Sequence, residues 1–347
     1  MRPVVVVALV GVLAAGIVAS VRIVRIGPND RTEGHPYVID LPDPDSRLAR
    51  FLASGDGQFY VALALDPSLH RPQVFSSRGE AAYRAQRPLL PFLVRAVSLG
   101  RPGAIGPALV VLSVLAAGFG AGACALLAER RFGSPLAGIA VLLTPGAIAV
   151  LGGLGSELLA LGLVALALIK WQDGRVWPAS ALFVLAAFAR ETTLVVPATL
   201  GVVELMRAQR LHRLAAVSVP VVLWGSWIAW VRLRVGVLPS SQGRLAAPFT
   251  GLVRAFPHWE NTRANLFALA IGVAIIVGLA LRRRSDLLAV VALANIALAV
   301  VAGPDVWHAW ENFTRPLLPL YALGIVALFT QAWDLRADFP SDTCTMP

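Results

Sequence analysis

Asp56 sits between two glycines in SGDGQFYVALALDP (54–67), ahead of an aromatic and aliphatic run. A carboxylate so placed has two chemical uses. It can cap the helix that the run predicts, accepting from the second or third amide and offsetting the first-turn dipole. It can also act as a general base, which requires reach to an acceptor hydroxyl and partial shielding from water. Glycine on each side lets a bulky substrate approach the backbone, which capping does not need. Gln58, Tyr60 and Asp66 follow on the same segment, and Arg84 and Arg87 stand beside Tyr83 in AAYRAQRPLLPFLVR (81–95). Two forked guanidiniums at that spacing suit the oxygens of a phosphate; contact with lipid headgroups is the alternative use. Arg190-Glu191, HWENTR (258–263) and DVWHAWENFTR (305–315), which holds His308, Glu311 and Arg315, add charge close to apolar runs. Charge there is costly and marks function or mutual pairing. His308 and Glu311 could share a divalent metal with Asp56, but hydrogen bonding is the preferred reading of one such pair. The usual nucleotide and metal signatures are missing: no P-loop, no G-x-G-x-x-G after a strand, no H-E-x-x-H and no cysteine pair at ligand spacing. Ser156 in GLGSEL lacks the strand and the second glycine of a nucleophile elbow, and GGLGS reads as a tight turn.

The elements that must position these groups are apolar. The chain of 347 residues is 57% hydrophobic and 14% charged, far below the quarter that is usual in soluble proteins. Its mean hydropathy is +0.71. The expected fold class is therefore an all-α polytopic membrane protein. The net charge of +10 comes almost wholly from arginine, Lys170 being the only lysine. Those arginines stand between apolar runs rather than in one patch, which favours positive-inside flanks and bound phosphate over nucleic acid. Cys124 and Cys344 imply neither a disulfide framework nor a zinc site. The N-terminal apolar run exceeds a typical signal core and reads as a retained first span.

Ten apolar runs are candidate spans: 4–26, 106–128, 135–151, 156–170, 176–190, 192–206, 214–235, 265–281, 287–303 and 316–333. Arg130 and Arg131, Lys170 and Arg175, the group Arg207, Arg210 and Arg213, and the triplet Arg282 to Arg284 fall in short connections, which are expected to be cytoplasmic. Both ends of the segment from Arg175 to Arg207 are then inside. Two short helices with Arg190-Glu191 at an outer apex satisfy the parity; one long tilted helix with a buried ion pair breaks it. The organisation expected is a first span (1–26), an extracytoplasmic loop (27–105), a multi-span domain (106–333) and a cytoplasmic tail (334–347). Within the loop, 56–66 and 88–99 are expected to be amphipathic helices lying at the interface.

A first span, a long outer loop with an early acidic residue, GDGQFYVALALDP, YRAQRPLLPFLV and many short spans together resemble the type C (GT-C) glycosyltransferases. The likeness is to their bacterial mannosyltransferase-like branch, with Arg190-Glu191 and ENFTRPLLPLY (311–321) as weaker echoes. The resemblance implies transfer of a sugar, such as mannose, from a polyprenyl-phosphate carrier to a glycan, lipid or protein acceptor. It implies an active site on the outer face of the bacterial inner membrane, among membrane lipids, and an inverting mechanism in which Asp56 is the base. Substrate contacts would come from Gln58, Tyr60, Tyr83, Arg84, Arg87, Arg190, Glu191, His308, Glu311 and Arg315. The first loop has no paired acidic dipeptide, which leaves a divalent metal cofactor open. A transporter or flippase of an anionic lipid or sugar phosphate is the rival class, expected to carry ionisable groups at mid-membrane. A non-catalytic partner in envelope assembly is the third.

Overall fold

The computed structural model describes residues 2–26, 43, 46–206, 211–239, 245–281 and 286–330. Every element among them is helical, and the β contact present is an isolated antiparallel bridge between Leu245 and Ala302. Four helices, Pro3–Arg25, Pro102–Arg130, Leu211–Val235 and Thr262–Leu281, are long and apolar enough to cross a membrane. The shortest has 20 residues, which at about 1.5 Å per residue matches a hydrocarbon core of about 30 Å. The chain is a helical membrane protein. The proposed tail, 334–347, and most of the loop before residue 43 lie outside the described residues.

The other apolar runs fold as shorter helices, broken where the backbone chemistry requires it. The run 135–151 is two pieces, Ala137–Leu142 and Pro145–Gly153. Pro145 has no N–H to continue the first piece, and the Thr144 side chain accepts from Ala147 N to begin the second. Asn295 separates Leu287–Ala294 from Ile296–Val301 and gives its amide to the Val291 carbonyl at 2.9 Å. At Arg190 the backbone turns extended (φ −153°, ψ 114°), ending Val176–Ala189 before a 3₁₀ turn, Glu191–Leu194, leads into Val195–Met206. The single long helix is thereby excluded, and Arg190 and Glu191 sit at a break.

Ion pairs mark one end of the bundle. Arg130 meets Asp173 at 3.4 Å, Arg131 meets Asp286 at 2.8 Å with both side chains buried, and Arg213 meets Glu204 at 3.1 Å while lying over Trp171. Those residues stand at the termini of five helices. The opposite termini carry Arg190 and Glu191, Glu157 and Arg315. The first helix packs on Pro102–Arg130 through small residues: a Cβ on Gly118 would overlap the Val12 side chain and crowd the Ala8 carbonyl, so two backbones meet there with nothing between them.

Helix Gly57–Leu65 is not the interfacial element expected from 56–66. Gly57 through Ala64 are all buried. The run FYVALAL has no polar face, and the helix is enclosed by Arg47–Ala53, Leu89–Val97 and Pro102–Arg130, with Gln58 satisfied inside by the Ala53 carbonyl at 3.1 Å. Helix Leu89–Val97 does behave as expected from 88–99: it buries Leu90, Pro91 and Val94 and turns Phe92, Leu93 and Val97 outward. Its Arg95 donates to the carbonyls of Ala64 and Leu65, closing the C-terminal turn of the buried helix. Trp227 of Leu211–Val235 donates to the Ala85 carbonyl at 2.7 Å and stacks on Trp230 at 4.6 Å, tying the turn that bears Arg84 and Arg87 to the bundle.

Candidate functional site

Asp56 occupies the N-cap position of Gly57–Leu65 with a helical backbone (φ −66°, ψ −15°), yet its side chain makes no capping hydrogen bond. The carboxylate turns to two arginines instead. Arg84 donates to Oδ1 at 2.9 Å, and Arg315 donates to Oδ2 from a segment 259 residues away. Arg84 is held flat, its guanidinium carbon 3.5 Å from the centre of the Phe59 ring.

Arg315 continues the chain. Its Nε and Nη2 reach Glu157 Oε1 at 2.8 and 2.7 Å, and Arg190 Nη1 approaches the same oxygen at 3.0 Å. Glu157 is the first residue of helix Glu157–Gln172, where the helix dipole favours negative charge, and its side chain is 2% exposed. The turn before it explains how it fits. Leu154 adopts a left-handed conformation (φ 54°), and a Cβ on Gly155 would overlap Glu157 Oε2 and lie 3.0 Å from Arg315 Nη2. A side chain at position 155 would displace the Glu157 carboxylate. Arg87 forms a separate forked pair with Glu191, Nε to Oε2 and Nη2 to Oε1, both at 2.7 Å, and also donates to the Tyr83 hydroxyl at 2.7 Å.

Burial alone would raise the proton affinity of Asp56, but Arg315 and then Arg84 outweigh it and hold the carboxyl well below the usual carboxylate range. Glu191 is likewise lowered to about 2, Arg87 and Arg190 overriding the effect of burial. Burial and the neighbouring Glu157 push the Tyr60 hydroxyl up. Asp56 is therefore ionised, as a base must be, but only weakly basic while both arginines hold it.

These groups border a cavity of about 700 Å³, within the range of small-molecule sites. Asp56, Tyr83, Arg84, Arg87, Arg190, Glu191 and Arg315 line its charged side; Trp224, Ile228, Leu298, Trp307 and Phe313 line an apolar side. Seven of the expected site residues are thus gathered in one place. Four are not. Gln58 bonds inward to backbone, and Tyr60, whose hydroxyl lies 3.1 Å from Ser156 Oγ, is buried outside the lining. Ser156 gives its own proton to the Ala189 carbonyl at 2.6 Å, so the Tyr60 hydroxyl is the donor to it. His308 is half exposed and 4.0 Å from the open side chain of Glu260, and Glu311 is exposed. The expected substrate contacts of these four are corrected accordingly: burial removes the first two and outward orientation the others.

Glu157 was absent from the expected set. Its signal was present: an acidic residue opening a long apolar run directly after a glycine turn. No group of three or more His, Cys, Asp or Glu side chains among the described residues could hold a metal ion. Asp56 gives both of its oxygens, and Glu157 its Oε1, to guanidiniums. No family model, curated protein or solved structure matches the chain.

Proposed function

We propose that this protein is a membrane glycosyltransferase of the GT-C kind, moving a sugar such as mannose from a polyprenyl-phosphate carrier to an extracytoplasmic acceptor with inversion. The observation that carries the reading is the meeting of Asp56 with Arg84 and Arg315 beside a large, half-apolar cavity at one end of a helical membrane bundle. A carboxylate next to several arginines is what the reaction asks for. Asp56 takes the proton of the acceptor hydroxyl, the acceptor oxygen forms the new bond to the anomeric carbon, and the bond from that carbon to the phosphate oxygen breaks. The arginines stabilise the charge that grows on the departing phosphate. The phosphate carrier needs no nucleotide site, and its isoprenoid tail would follow the apolar wall towards the lipid.

In this reading the ten apolar segments cross about ten times and the cavity opens on the outer face of the bacterial inner membrane. The arrangement of charge favours an enzyme over a transporter or flippase. Among the described residues the ion pairs collect at the two ends of the bundle, whereas a transport path asks for ionisable groups midway. The test is to incubate purified protein in vesicles with radiolabelled polyprenyl-phosphate sugars and an envelope extract. The expected result is label transferred to an extract component. Label that crosses the vesicle membrane still attached to its carrier, with none transferred, would give the protein to the rival class.

A further inference from the structure

Five charged side chains at the cavity form a chain of alternating sign. Arg84 holds Asp56 at 2.9 Å, Asp56 holds Arg315, Arg315 holds Glu157 at 2.7 Å and Glu157 pairs with Arg190 at 3.0 Å. Glu80 adds an ion pair to Arg84 at 3.7 Å, so the chain has a carboxylate at one end and the guanidinium of Arg190 at the other. Arg87 and Glu191 stand beside it as a pair that is neutral by itself.

Arg84 and Arg190 are the under-used arginines. Arg84 gives one hydrogen bond, to Asp56, and pairs with Glu80 at 3.7 Å, but its buried Nε has no hydrogen-bond partner. Arg190 meets Glu157 as an ion pair, but neither its Nε nor its Nη1 makes a hydrogen bond, and its side chain is 9% exposed. By contrast Arg315 donates to two carboxylates, and Arg87 gives a complete fork to Glu191 and a further bond to Tyr83. Buried cationic donors left without acceptors are costly, and an anion with several oxygens is the group that removes the cost.

We propose that Arg84 and Arg190 are the pair that takes a phosphate group in this cavity, whereas Arg87 and Arg315 are positioning arginines committed to Glu191 and to Asp56 with Glu157. The assignment rests on reading the cavity as a phosphate-handling site. It also couples binding to chemistry. A phosphate that draws Arg84 towards itself leaves Asp56 with Arg315 alone, whose charge Glu157 already shares, so Asp56 gains basicity when the anion arrives.

Binding can be measured without turnover, using farnesyl phosphate and inorganic phosphate as probes on the purified full chain in nanodiscs. The variants are Arg84→Gln, Arg190→Gln and the charge-neutral double Arg87→Gln/Glu191→Gln, each checked by thermal melting. Loss of farnesyl phosphate affinity by about tenfold or more in each single variant, which is about 1.4 kcal/mol, with the double losing clearly less than either, is the expected result. Inorganic phosphate should lose affinity in the same single variants but bind more weakly overall; equal affinity for both probes would assign the site to free phosphate, still held by this pair. If Arg190→Gln does not fold, Arg84→Gln and Arg84→Lys carry the comparison, the lysine keeping charge without the fork. Single variants that bind as wild type does, or a double that loses as much as they do, overturn the division of the arginines while leaving the phosphate reading intact. A wild-type protein that binds neither probe overturns that reading itself.

Discussion

At the scale of single residues the account turns on how three carboxylates are held. Glu191 gains its stability from Arg87, and its lowered pKa of about 2 fixes the sign of the pH dependence. A group with a depressed folded-state pKa contributes fully above its unfolded value, about 4.3 for glutamate, and loses that contribution as the pH falls towards 2. Thermal melting between pH 5 and pH 2 should therefore fall less steeply in Arg87→Gln/Glu191→Gln than in wild type; parallel curves would remove this pair from the acid sensitivity. Glu157 is the sharper case, because its side chain is 2% exposed and two arginines converge on it. Removing one member of a buried pair costs roughly 3–5 kcal/mol. Glu157→Gln should thus destabilise by that order in denaturant titration. Gly155→Ala should destabilise as well, but less, by pushing the Glu157 carboxylate off its arginines. A Gly155→Ala protein as stable as wild type would mean that the turn relaxes and that the glycine is not needed.

At the scale of elements, much of the chain could be read in its sequence because apolar runs and arginine placement are strong signals in membrane proteins. The break at Arg190-Glu191 followed from parity alone, whereas Arg84 and Arg87, visible as a spaced pair, turn to different carboxylates, Asp56 and Glu191. Helix Gly57–Leu65 was misplaced because a short apolar run looks the same whether it lies on a surface or is enclosed; what encloses it is the packing of the helices before and after it, which the run itself does not show. Glu157 escaped for a related reason: its partner Arg315 lies 158 residues away, and no local pattern announces the pairing. Gln58 and Tyr60 were assigned to substrate on position, but a polar side chain in a buried helix first has its own hydrogen bonds to satisfy. The contact between Trp227 and Ala85 gives a test at this scale. Trp227→Phe keeps an aromatic ring on Trp230 while deleting the N–H given to the turn that bears Arg84 and Arg87. Weaker farnesyl phosphate binding, by about threefold to tenfold, with a melting temperature close to wild type is expected; unchanged binding would show that the turn needs no such tie.

At the scale of the whole molecule the claim is that a helical membrane bundle gathers Asp56, Glu157, Glu191 and four arginines at its outer end, with its structural ion pairs at the other. Sidedness can be tested in a background with Cys344 replaced. Cysteines at Glu260 and Glu311, both exposed, should react with an impermeant thiol reagent from outside, and one at Arg130, also exposed, should not. Reversed labelling would place the cavity on the cytoplasmic face. The central claim, that Asp56 is the base of a glycosyl transfer, is tested most directly by comparing wild type with Asp56→Asn in the vesicle assay with labelled polyprenyl-phosphate sugar. Asparagine keeps the size and one acceptor oxygen but accepts no proton at neutral pH, so transfer should fall by a factor on the order of 100 or more in protein that still accumulates as a folded chain, melting lower than wild type because Arg84 and Arg315 lose a carboxylate between them. Undiminished transfer by well-folded Asp56→Asn would contradict the account.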